Sequence, residues 1–250
     1  MPRSTAAAKS DYCAFSGSAR RGIAGPEIGV NSPAPEWRRA DRGYEVGMER
    51  VRFDGWIAGV GMSAGPRLVV GHWVDSPFGA VTDVMVEHRD GRRVLLAPDP
   101  ELGRFIAETY SFDEVRVVPT AMRRAGNAWT VTAGGLTLRF ETGGRGALGG
   151  LLRLVPAPLA GRLSWVRLVD RPARLLRGVR TYGSAGNGRR EWYAARDLHR
   201  ITAASGELDG TDLGRLTVLD PPVRFGFGSA PRSPALVRVT TTVELPAPAG

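Results

Sequence analysis

Lysine is almost missing from this chain. Of 34 basic side chains only Lys9 is a lysine, and the other 33 are arginines. Beyond residue 9 there is no side-chain amine, which excludes Schiff-base catalysis and a P-loop lysine from the rest of the chain. Cysteine is as scarce: Cys13 is the only one, so no disulfide framework and no cysteine metal site can form. No apolar run approaches the roughly 20 residues that span a bilayer. The N-terminus is rich in Ala, Ser and Arg and lacks the apolar stretch of a secretory signal, so a cytoplasmic location is expected.

What is present is an ordinary globular composition, 42% apolar and 24% charged, with an uneven excess of positive charge. The net charge is +9, and residues 148–200 alone hold 11 arginines against 3 acids. Such a patch suits an anionic ligand, a membrane surface, nucleic acid or plain solvation. Residues 1–47 mix Ala, Ser, Gly, Pro and Arg without a period of 2 or 3.6. They read as a disordered N-terminal extension, with residues 48–250 a single domain and Met48 a candidate true start.

Within that domain strand signals are dense. Leu68, Val70, His72 and Val74 alternate with Arg67, Gly71, Trp73 and Asp75. A turn at Ser76-Pro77-Phe78-Gly79 leads to a run over residues 80–88, and Asp90-Gly91 predicts a type I′ hairpin into residues 93–97. Asp99-Pro100 marks a helix start with an N-cap and a proline at the first position. Leu102, Phe105, Ile106 and Tyr110 form its buried stripe. Strands are expected at 114–122, 128–133 and 136–141, with Gly134-Gly135 a tight turn. The Leu- and Arg-rich residues 147–178 read as two or three helices on the sheet. Strands resume at 179–182, 190–202, 223–228 and 236–244. In the last, Val237, Val239, Thr241 and Val243 share one face. About ten short strands with few helices predict a mainly β (α+β) fold, a curved antiparallel sheet closing into a β-barrel.

Three motifs are weak on context. Gly61-Met62-Ser63-Ala64-Gly65 matches a nucleophile elbow, yet Pro66 and a strand follow where a helix is needed, so a hairpin turn is expected. Gly144, Gly146 and Gly149 match G-x-G-x-x-G, but the preceding strand alternates, unlike the buried strand of a dinucleotide fold. His72, His88 and His199 have no close ligand spacing, so no metal site is assigned.

Residues 182–193 carry the strongest chemistry. Ser184 and Asn187 lie in a Gly-rich loop able to form an anion nest, and Arg190, Glu191, Trp192 and Tyr193 follow. On a strand Arg190, Trp192 and Ala194 share one face, and Glu191 and Tyr193 the other. Arg190 and Glu191 therefore enter one cavity only across a bulge. The assigned roles are Arg190 as anion clamp, Trp192 as stacking wall and Glu191 as proton-transfer group, with Ser184, Asn187, His72 and Trp73 completing a ligand-binding set. The plain alternative is a hairpin loop followed by an amphipathic strand with solvated arginines.

Ser76-Pro77-Phe78-Gly79 with Asp83-Val84-Met85-Val86, and the segment Asn187-Gly188-Arg189-Arg190-Glu191-Trp192, resemble motifs of the acetoacetate decarboxylase-like superfamily. The resemblance implies a cone-shaped antiparallel β-barrel with an internal ligand cavity. It does not carry the family's activity, because the family's enzyme forms a Schiff base through a lysine that this domain lacks. The domain as a whole is also similar to actinobacterial proteins, a likeness that supplies no function.

The leading expectation is a barrel binding a small carboxylate or amphipathic organic acid, with residues 183–193 at its mouth and no cofactor. The runner-up is a lysine-independent lyase, isomerase or hydratase working by acid–base chemistry, which needs a carboxylate or histidine in the cavity and so turns on the strand faces of Glu191, Asp83 and His72. A third reading is a peripheral membrane or interaction protein using the basic region 148–178, with Arg153, Arg162, Arg167, Arg171, Arg174 and Arg177. No nucleic-acid partner is expected, since no binding motif accompanies the charge.

Overall fold

The computed structural model describes residues 49–153, 182–184, 188–226 and 230–246. The expected N-terminal extension, Met48, most of the basic stretch and Asn187 lie outside them. Among the described residues thirteen strands and two helices follow in order: β1 (Arg50–Met62), β2 (Arg67–Asp75), β3 (Val81–Glu87), β4 (Arg93–Ala97), α1 (Pro100–Ala107), β5 (Glu114–Val117), β6 (Thr120–Ala125), β7 (Ala128–Ala133) and β8 (Leu136–Thr142). Then come α2 (Gly146–Arg153), β9 (Tyr182–Gly183), β10 (Arg190–Leu208), β11 (Thr211–Asp212), β12 (Leu216–Thr217) and β13 (Ala235–Glu244).

The sheet runs β5-β4-β3-β2-β1-β13-β10-β8-β7-β6, with β9 and β11 on β10 and β12 on β1. Val70 and Val84 from one half meet Val131, Leu138 and Phe140 from the other in a single apolar cluster. Strands so far apart in the order share a core only if the sheet curls around them, and it does so as a half-barrel. The curl returns far enough for the Thr120 hydroxyl to donate to the Thr82 carbonyl at 2.7 Å. No ladder among the described residues joins β5 to β6, so the expected closure stops short of a continuous barrel.

The opposite face carries its own apolar cluster, with Phe53, Trp73, Leu95, Tyr193, Val239 and Val243 packed against Leu102, Phe105 and Ile106 of α1. Both faces of the central strands are thus covered. This explains Leu95 lying between Val94 and Leu96, all three buried on alternating sides.

Several sequence expectations change in detail. The hairpin between β3 and β4 exists, but Glu87 pairs with Arg93, leaving a five-residue link. Only Gly91 in it has positive φ, +90°, so the turn is not type I′. The run 114–122 is split by Pro119, which cannot donate to a ladder. Its first half, β5, pairs parallel with β4, with α1 as the crossover, so the sheet is not wholly antiparallel. Residues 223–226 form no strand. Ser63 sits in the β1–β2 turn and its hydroxyl accepts from the Arg215 amide at 2.9 Å, as a hairpin residue would. Gly149 belongs to α2, where a Cβ would stand 2.3 Å from the Leu198 carbonyl; close helix–strand approach accounts for that glycine.

Candidate functional site

A cavity of about 50 Å³ lies between α1 and the outer face of the sheet. That is room for on the order of four waters or a small organic molecule. Its wall is mostly apolar: Phe53, Ile57, Val69, Met85, Phe105, Ile106 and Val243. The polar groups in it are Trp73, Asp83, Thr109, Tyr110, Tyr193 and Thr241. The inside of the curl is filled by side chains, so the cavity is not in the barrel's lumen.

The wall is set by local structure. Asp99 caps α1, accepting from the Leu102 amide at 2.8 Å, and Pro100 fixes its first turn. Arg189, buried just before β10, donates to the Phe105 carbonyl at 2.8 Å and to the Thr109 hydroxyl at 2.5 Å. Its other nitrogen meets Glu108 at 2.5 Å, and its guanidinium lies 4.9 Å from the Phe105 ring centroid. A cation at a helix C-terminus is favourable, so Arg189 ties that end of α1 to the sheet. Tyr110 is thereby held over β10.

There Tyr110, Tyr193 and Glu191 form a triangle. Tyr110 Oη donates to Glu191 Oε2 at 2.6 Å, Tyr193 Oη lies 2.9 Å from the same oxygen, and the two phenols are 2.7 Å apart. Three mutual contacts need three protons, and an ionised Glu191 would supply only the two phenolic ones. Burial pushes the Glu191 carboxyl up, and the two tyrosine hydroxyls and Arg189 oppose this only partly. A neutral Glu191 satisfies the count. Burial likewise holds both phenols well above their usual range. Glu191 Oε1 has no hydrogen-bond partner, and neither does the Thr241 hydroxyl in the wall.

Asp83 is the second carboxyl. It is 2% exposed and accepts from Trp73 Nε1 at 2.9 Å. Burial pushes it up to about 7, since one hydrogen bond offsets little of the cost of removing a carboxylate from water. Gly71 makes the pair possible: a Cβ there would lie 2.5 Å from Asp83 Oδ1 and 2.8 Å from Trp73 Nε1.

The sequence-derived site residues divide between two faces. Glu191 stands behind the wall, reaching the cavity through its two phenols, and Trp73 lines it. Arg190 points away, its side chain 58% exposed and 3.7 Å from Glu244. Trp192 is buried on that other face with Ala194 and Tyr182, beneath the Arg50 guanidinium. His72 also lies away from the cavity, bonded through Nδ1 to the Thr82 hydroxyl at 2.9 Å. Ser184 is exposed. Asp83, one of the groups on which the acid–base alternative depended, lines the cavity, whereas sequence reading missed Arg189 and the hydroxyl of Tyr110. For Tyr110 the signal was its place in the helix stripe, which was read as apolar packing alone. Among the described residues no group of three His, Cys, Asp or Glu side chains could hold a metal ion, and no helix is long and apolar enough to cross a membrane.

No family model matches the chain, and no curated protein does. Among solved structures it is similar to an acetoacetate decarboxylase from Legionella pneumophila, at 11% identity and a TM-score of 0.36, over 87% of this chain and 96% of that one. A second acetoacetate decarboxylase structure matches at 10% identity and a TM-score of 0.37, over 80% of this chain and 88% of that one. At these values the likeness says nothing of activity.

Proposed function

We propose that the cavity beneath α1 takes up a small, uncharged organic molecule bearing a carbonyl or hydroxyl oxygen. The observation that carries this is the composition of the wall: aromatic and aliphatic groups, hydroxyls, a carboxyl that titrates near 7, and no arginine. A buried anion needs a paired cation, so a charged carboxylate is a poor guest here. The sequence-based expectation of an organic acid rested on Arg190 in the cavity, and Arg190 faces the other way. The two phenols and the unpartnered Thr241 hydroxyl would orient the guest's oxygen.

The test is native mass spectrometry of the full chain, compared with its denatured mass, followed by titration of short-chain ketones against Trp73 fluorescence. Uptake should be lost in Met85→Trp, which fills the wall, with the fold retained. Equal uptake by that variant would remove the cavity from consideration.

A second reading, acid–base catalysis on the same guest, is favoured by one observation: Asp83 ionises near neutral pH in a wall it shares with two phenols. In this reading the Asp83 carboxylate takes a proton from the carbon beside a carbonyl while a phenol protonates the carbonyl oxygen, giving an enol. Returning a proton at carbon completes an isomerisation with no net oxidation. Protein-dependent deuterium uptake by an enolisable ketone such as butanone, followed by NMR, should rise as pH passes 7 and vanish in Asp83→Asn. No acceleration over buffer would sink the reading. Of the arginines on which the membrane reading rests, only Arg153, exposed at the end of α2, is among the described residues.

A further inference from the structure

On the inward face of the sheet, opposite the α1 cavity, we infer that Arg196 and Arg238 form a binding site for the carboxylate of a small monoanionic acid. Two irregularities of the sheet converge there. β10 slips its register against β13 between Ala195 and Asp197, leaving Arg196 as the extra residue. β1 slips against β2 between Asp54 and Gly55. Bulges of this kind re-aim a side chain, and here Arg196 turns to the Asp54 carboxylate. Arg238 meets the other oxygen of the same carboxylate, and the Thr240 hydroxyl adds a bond to Asp54 at 2.8 Å.

The cluster is left incomplete. Arg196 Nε and Arg238 Nη1 are buried and have no hydrogen-bond partner. A desolvated guanidinium N–H without an acceptor is costly, and two on neighbouring side chains that share one carboxylate call for a second acceptor. Within the bonded cluster two arginines and one aspartate leave one positive charge, and Asp75, the register partner of Asp54 on β2, is exposed and bonded to neither arginine. A monoanion balances that excess, whereas a phosphate dianion would overshoot it.

The surrounding groups suit the organic part of such an acid. The Arg238 guanidinium lies 5.6 Å from the Trp56 ring centroid, and Trp56 packs against Trp129 and His199. The other titratable groups nearby do not supply the missing acceptor. Asp197 is engaged by Arg145 at 3.0 Å and by His199 at 3.4 Å. His72 is held toward its neutral form by burial and by Arg238. The two side chains are about one-quarter exposed through their other atoms, so an acid reaches the buried Nε of Arg196 and Nη1 of Arg238 only as the guanidinium groups shift.

The experiment observes arginine Nε–H resonances of the 15N-labelled full chain during titration with propionate at constant ionic strength. The signal removed by Arg196→Gln should shift saturably in the wild type. Asp54→Asn removes the competing carboxylate and should bind propionate at least five-fold tighter, on top of the saturable binding already shown by the wild type. A linear, non-saturating shift, an equal response to chloride or inorganic phosphate, or unchanged affinity in Asp54→Asn would overturn the site. Arg196 is a surface-reaching side chain, so its variant keeps the test available even if Asp54→Asn does not fold.

Discussion

Asp83 makes stability depend on pH at a single side chain. Unfolded, its carboxyl ionises near 3.8; folded, near 7. Between those values the folded state holds the extra proton, so the contribution of Asp83 to stability is greatest below about 4 and falls as pH rises through the window. Asp83→Asn keeps the acceptor for Trp73 and abolishes the ionisation. It should be stabilising by up to about 4 kcal/mol at pH 8 and close to neutral at pH 4, measured by urea unfolding at both. The raised Glu191 carboxyl acts with the same sign. Tyr110→Phe breaks the three-proton triangle and leaves Glu191 more poorly satisfied, at a cost of about 1–3 kcal/mol in the same assay. Alternation in the sequence separated Glu191 and Tyr193 from Arg190 and Trp192, and the structure keeps that division. What alternation cannot tell is which of the two faces lies beside a cavity, because both faces of this sheet are buried.

α1 is the element on which the cavity depends, and its N-terminus was legible because capping is local chemistry. Asp99→Ala should lower stability by about 1 kcal/mol in thermal unfolding, the usual loss for an N-cap. Its other end was not legible. The tether is Arg189, which is 84 residues from Phe105 in sequence and gives no local signal. Arg189→Met should cost more than the cap does, since it leaves Glu108, Thr109 and the Phe105 carbonyl without their shared donor. It should also raise the ligand dissociation constant while Asp99→Ala changes it less. Equal effects of the two variants on ligand affinity would separate Arg189 from cavity geometry.

At the scale of the molecule, strand number and curl were readable from hydrophobic periodicity and turn residues. The topology was not. A parallel pair such as β4–β5 looks like two more antiparallel strands until the helix that joins them is seen to cross over the face of the sheet. A long-range lock was equally hidden. Glu87, fully buried, is gripped by Arg67 at 3.1 Å and Arg224 at 3.0 Å, and Arg67 also donates to the Pro221 carbonyl at 2.7 Å. Glu87→Gln strands the 5%-exposed Arg67 in the core and should cost about 3–5 kcal/mol, read as a lowered Tm. Arg224→Ala, at a largely exposed partner, should cost much less.

The crossover also bears on how quickly a guest could come and go. Because α1 is spliced between two hydrogen-bonded neighbours of one sheet, lifting it would strain both connections and the β4–β5 ladder together. It is a fixed roof, unlike the hinged flaps that gate many binding pockets on the microsecond-to-millisecond scale. For the proposed guest, residence time should therefore be set by rotation of the aromatic side chains of the wall, and uptake should show a single kinetic phase with no slow isomerisation step.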